Sequence, residues 1–135
     1  MRTILLIMLG LNSLLQADLT KVGNTVTDSV TNLEWSDDKA SPSKNWINAI
    51  DYCKAKDIDS KDDWRLPNIN ELSTLLDSEN RDTIFTNTFA SVHYWSSTTL
   101  ATYTDAAWLV SFENTIQVNG DKNDSNYVRC VRAGQ

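Results

Sequence analysis

The stretch Asp62-Asp63-Trp64-Arg65-Leu66-Pro67-Asn68-Ile69-Asn70-Glu71-Leu72 decides how this chain is read. Pro67 and Asn68 open a helix, because proline fits the start of a helix and an asparagine oxygen caps its free N–H groups. Glu71 stands three residues after Asn68, the spacing of a reciprocal capping box. Ile69, Leu72, Leu75 and Leu76 then form one apolar stripe at helical spacing, and the helix should fail between Asp77 and Asp82. Ahead of the proline, Trp64 and Leu66 are expected in the core, with Arg65 between them paired to a carboxylate or to carbonyls.

Working toward the N-terminus, residues 56–63 form a polar loop carrying Asp57, Asp59, Asp62 and Asp63. A first helix precedes it. Ser41 to Lys44 should open that helix, and Trp46, Ile50 and Cys53, with Ile47 and Ala49 beside them, mark its buried face. Val22 to Trp35 reads as a hairpin, with alternation at Thr25-Val26-Thr27 and Leu33-Glu34-Trp35 and turn chemistry at Asp28 to Asn32. Toward the C-terminus the period changes to two. Strands are expected at Tyr94 to Ser97, Ala106 to Phe112, Ile116 to Val118 and Tyr127 to Arg132. Ala106, Trp108, Val110 and Phe112 should share the buried face of the second. The sum is an α+β domain, two helices packed on a small antiparallel sheet.

The chain of 135 residues suits one domain. Its first seventeen residues have the features of a signal peptide: Arg2, an apolar run from Ile4 to Leu9, polar Asn12 and Ser13, and Ala17 before a cut. The domain is then 18–135, in the periplasm, secreted or at the cell surface. The apolar run is far shorter than the roughly 20 residues that span a bilayer, so no membrane span is expected after cleavage. Export makes Cys53 and Cys130 a disulfide by default, worth about 4 kcal/mol through loop closure; two free thiols are the alternative. Losing Arg2 takes the net charge from −6 to −7. Such a domain has no generic attraction for nucleic acid or anionic lipid.

Several phrases occur together in a fixed order: Val26-Thr27-Asp28, Thr31-Asn32-Leu33-Glu34-Trp35, Ala49-Ile50-Asp51-Tyr52-Cys53, the Asp62-to-Leu72 stretch, Tyr94-Trp95-Ser96-Ser97-Thr98, Ala107-Trp108 and Tyr127-Val128-Arg129-Cys130-Val131-Arg132. Their order and spacing resemble the Lcl C-terminal domain family over about residues 22 to 133. The resemblance implies an exported or surface-associated protein with a C-type-lectin-like or sulfatase-modifying-factor-like fold. For the family's namesake it implies adhesion through sulfated glycosaminoglycans and a trimer. This chain departs from that pattern in three ways. It is acidic, it carries no collagen-like repeat, and Thr115 stands where the family usually has glycine after Asn114, so the turn there is expected to differ.

Candidate site residues follow from side-chain chemistry. Trp46 and Trp108 fall on faces expected to be buried, which leaves Trp35 and Trp95 as candidates for stacking on a sugar, against core packing. Arg65 is a candidate ligand-binding cation, against the folding role above. Asp121, Asn123 and Asp124, with Ser125 and Asn126 in the same loop, offer the hard oxygens that calcium prefers. Lys122 lies among them, and a solvated turn starting at Asn119-Gly120 is the reading adopted, with no metal assigned. His93 is the only histidine, so no histidine metal cluster is possible, and no nucleophile-elbow phrase accompanies it. The carboxylates sit in polar loops, and no catalytic residue or cofactor is assigned. The expectation is an exported, non-catalytic binding module for glycans or another cell-envelope ligand. The alternative is a structural or assembly protein acting through protein–protein contacts, with a homo-oligomer among its forms.

Overall fold

A computed structural model describes residues 18–38, 41–86 and 93–134. The expected signal peptide lies outside them. Strands β1 (Leu19–Val22), β2 (Thr25–Asp28) and β3 (Leu33–Ser36) form a meander, followed by the short β4 (Ser43–Lys44) and helix α1 (Trp46–Lys54). Helix α2 (Ile69–Thr74) runs into a 3-10 turn (Leu75–Asp77) and a short α3 (Arg81–Ile84). Strands β5 (His93–Thr99), β6 (Ala106–Ser111), β7 (Ile116–Asp121), β8 (Asn126–Tyr127) and β9 (Val131–Ala133) complete the fold.

The class is α+β, but the expected single antiparallel sheet is two sheets. One has the order β1-β2-β3-β9; the other is mixed, β4-β8-β5-β6-β7, with β8 parallel to β5. The expected strand from Tyr127 to Arg132 is therefore split. Tyr127 pairs with Tyr94 in the five-stranded sheet, while Val131 pairs with Trp35 in the four-stranded one. The chain crosses between sheets at Val128–Cys130, and buried Arg129 donates to the carbonyl of Ser36 at 2.7 Å on the way.

The five-stranded sheet is covered on both faces. Leu72, Leu75, Trp35, Tyr94, Val110 and Phe112 belong to one core cluster. Ala49, Cys53, Trp64, Leu66, Trp95 and Leu109 belong to the other. This is why β6 does not alternate as expected: Ala107 and Leu109 are as buried as Val110, whereas Trp108 is only partly buried. A sheet packed on both sides loses its period-two signal.

The opening stretch does the joining. Trp64 donates its indole N–H to the Lys61 carbonyl at 2.8 Å, and Arg65 exchanges backbone hydrogen bonds with Val131 at 2.9 Å in both directions. The Pro67 carbonyl accepts from Ser97 at 2.8 Å. Asn68 and Glu71 form the expected capping box on α2. Helix α1 starts later than expected, with Asn45 as its cap, because Ser43 and Lys44 pair with β8 instead. Cys53 and Cys130 form the disulfide, 77 residues apart in sequence, and it ties α1 to the crossing segment. Among the described residues no helix is long and apolar enough to cross a membrane.

Candidate functional site

The aromatic candidates exchange places. Trp35 and Trp95 are both 0% exposed and fill the two cores, so neither ring offers a face to a sugar. Trp46 and Trp108, expected to be buried, are the partly exposed ones. Trp46 begins α1 beside the β7–β8 turn, and its ring is covered by Lys122 Nζ at 4.0 Å from the centroid. The reason is register. Trp35 and Trp95 lie in central strands flanked on both sides, which no single-strand pattern displays.

Arg65 does not present a free guanidinium. It forks onto Glu71 with two bonds, of 2.6 and 2.7 Å, and Glu71 also accepts from the Asn68 backbone at 3.0 Å. Burial pushes the Glu71 carboxyl up, but the bonds from Arg65 and the Asn68 backbone outweigh it and hold it below the usual glutamate range. Arg65 therefore serves the helix start.

In the loop weighed for calcium, only the Asp121 carboxylate is engaged by the described residues of the chain itself. Asp121 Oδ1 accepts from the Asn123 backbone at 2.8 Å, and the Asp121 carbonyl accepts from the Asp124 backbone. Among the described residues no group of acidic, histidine or cysteine side chains could hold a metal ion. Asn119 and Gly120, expected to open this turn, are instead inside β7. In the turn between β6 and β7, Thr115 adopts φ +54°, the left-handed region that favours glycine.

A groove of about 660 Å³ runs beside this loop, lined by His93, Leu109, Val118, Asn119, Gly120, Asp124, Ser125 and Asn126. Leu109, Val118 and Gly120 form its apolar floor. The polar side chains of His93, Asp124, Ser125 and Asn126 make no hydrogen bond within the described residues, whereas Asn119 stands between Val118 and Gly120 in β7 and turns its side chain to the other face of the sheet. Several such side chains elsewhere are spent. Asn45 and Asn68 cap helices, and Asn80 donates to the Leu19 carbonyl. A second recess, about 510 Å³ beside Thr25, Thr27, Glu34, Asp59 and Lys61, has its charges committed. Glu34 accepts from Lys61 at 2.8 Å and Arg132 at 2.9 Å, and Asp59 accepts from Asn24 at 3.1 Å. That difference favours the first groove over the second, because unspent polar groups beside apolar ones are what a ligand site needs.

Seven cations are committed too: Lys21, Lys56, Lys61, Arg65, Arg81, Arg129 and Arg132 all sit in ion pairs. Lys44 and Lys56 lie over the Tyr52 ring, and Lys54 is exposed at the end of α1. Ser125 and Asn126 were read from sequence as part of the loop rich in hard oxygens, and His93 was not singled out for this site. His93 lies in β5, Ser125 in the loop and Asn126 in β8, and the pairing of β8 with β5 brings them together.

The model of the Lcl C-terminal domain matches residues 24–132, nearly all of the described chain. The chain belongs to the Lcl C-terminal domain family. No curated protein matches it. The match starts at the β1–β2 turn and ends in β9, so the four-stranded sheet that gathers both ends falls within the family's frame except for β1.

Proposed function

We propose that this Lcl C-terminal domain is an exported, non-catalytic binding module of the cell envelope, taking a glycan through the groove beside the β7–β8 loop. The carrying observation is the unspent polar set of His93, Asp124, Ser125 and Asn126 beside Leu109 and Val118. Side-chain amides and hydroxyls match the hydroxyls of a sugar, and an apolar floor matches its C–H face. The buried Cys53–Cys130 bridge supports an oxidising compartment, periplasmic or extracellular. We take the frame to be C-type-lectin-like, with first and last strands sharing one sheet and helices covering the other.

A glycan array on the purified protein tests this reading. Binding should fall in Asn126→Ala. It should also fall in Gly120→Ala, whose added carbon would lie 2.8 Å from the end of Leu109 and push that side chain. Failure to bind any neutral, amine-bearing, acidic or sulfated sugar overturns it.

Assembly through protein contacts is the second reading, and β7 favours it. This strand is an edge, six residues long and evenly paired on one side only, with Ile116 49% exposed. Such an edge is a template for a further strand. Light scattering that gives a strict monomer, with no partner recovered by cross-linking, counts against it.

A further inference from the structure

We propose that two copies of this chain pair along β7, antiparallel about a two-fold axis at Val118, so that their five-stranded sheets join into one; this rests on the assembly reading above and names its partner. The edge is open. Among the described residues β7 pairs only with β6, in a register unbroken from the Ala106–Asp121 pair to the Ser111–Ile116 pair. It holds no proline, no bulge and no lysine or arginine, the devices that keep strand edges apart, and its one charge, Asp121, stands at its end. The other outer strands are shorter templates. β1 has four residues, with Lys21 among them, β9 has three and β4 has two.

Hydrogen bonding selects the register. The Lys122 N–H donates to the Asp105 carbonyl at 2.8 Å, so Lys122, Gly120, Val118 and Ile116 turn their backbone groups toward β6. Those of Gln117 and Asn119 turn outward. Asp121 turns outward too, but its carbonyl already accepts from the Asp124 N–H at 3.0 Å. Placing Gln117 of each copy opposite Asn119 of the other uses both outward residues, each pair exchanging both its bonds. Val118 then meets Val118 across the axis. On the same face Ile116, 49% exposed, meets Gly120, whose missing side chain leaves it room. Asp121 meets Thr115 and Glu113 meets Asn123, so no like charges stand opposite each other. A shift that sets Asn119 opposite itself fits less well. It puts Gln117 against the engaged Asp121 carbonyl, and Ile116 against Lys122, whose ammonium is held by Thr99 and Thr104.

Light scattering on the purified protein, from micromolar to millimolar concentration, should show the mass rise from one chain toward two. Asn119→Pro should weaken the dimer roughly tenfold or more. It should leave the melting midpoint near that of the unchanged protein, because the N–H it removes points away from β6 and an edge strand tolerates proline on that side. Added cysteines test the register, since the native pair is already bonded to itself. Val118→Cys sets two sulfurs face to face on the axis and should give a disulfide-linked dimer under mild oxidation. Ile116→Cys sets its sulfurs roughly 13 Å apart along the strands and should not. A monomer at every concentration, a trimer, a dimer untouched by Asn119→Pro, or linkage of Ile116→Cys ahead of Val118→Cys overturns the proposal. Where Asn119→Pro fails to fold, the cysteine pair decides. The assembly reading outlives an overturned proposal only if cross-linking on intact cells joins a different protein to this one; it falls as well if none is joined and the chain is a strict monomer.

Discussion

Single side chains decide most of what can be tested cheaply. Trp35 and Trp95 are equally buried, but their indoles differ. Trp95 donates its N–H to the Lys44 carbonyl at 2.8 Å, whereas the Trp35 indole nitrogen has no partner. Both lose volume on change to Phe. Trp95→Phe also removes a hydrogen bond and strands a carbonyl, so it should cost about 1 kcal/mol more than Trp35→Phe. Urea denaturation of the two variants measures the difference, and an equal or reversed order would contradict the placement of the rings. Thr115 shows the opposite lesson. A β-branched residue is uncomfortable at φ +54°, yet Thr115 adopts it, with the hydroxyl donating to the Asn114 carbonyl at 2.7 Å.

At the scale of elements, the start of α2 was legible because caps are local. The Asn68–Glu71 box needs only residues three apart, and the sequence displays it. Asn68→Ala should cost about 1 kcal/mol, the usual loss of a cap. Arg65→Ala should cost less, because the Arg65 side chain is 46% exposed and its fork onto Glu71 is screened by water. Neither change should alter sugar binding in the groove. Thermal melts and the glycan array read both quantities, and an Arg65→Ala variant that folds but no longer binds would return Arg65 to the ligand site. The strands were less legible than the helix. β1, β4 and α3 passed unseen, since each is four residues or shorter and is held by distant partners such as Asn80 on the Leu19 carbonyl. The groove was illegible for the same reason: its lining comes from residues 93 to 126 and has no periodic signature.

Across the whole molecule, the charge network and the disulfide set the response to conditions. Arg132 bridges Asp63 and Glu34, and Lys61 adds a second cation to Glu34. Burial pushes Glu34 up, but bonds and charges from Lys61 and Arg132 hold it below its ordinary value of 4.5. A carboxylate held low stabilises the folded state above its unfolded value and loses that contribution as pH falls through the folded one. Glu34 and Glu71 both act this way, so the melting temperature should drop as pH falls below about 4.5. Glu34→Gln should flatten that acid limb; a limb of unchanged steepness would remove Glu34 from the account. The double change Cys53→Ser and Cys130→Ser should lower stability by about 4 kcal/mol on the loop-closure model. Both sulfurs are buried, so reductant should act on the native protein only once denaturant opens it. Ready reduction without denaturant, or an unchanged denaturation midpoint in the double variant, would contradict this. By itself the sequence determined the α+β class, the capped second helix, the membership signalled by its ordered phrases and the partnership of its two cysteines. These depend on local spacing, on a redox default or on residues standing together in the chain. Only the tertiary structure decided that there are two sheets, that Trp35 and Trp95 are core rather than platform, that most of the arginines and lysines pair internally, and which polar groups line the groove. Those depend on which strands become neighbours, and strand pairing between distant segments is set by the packing of the whole chain.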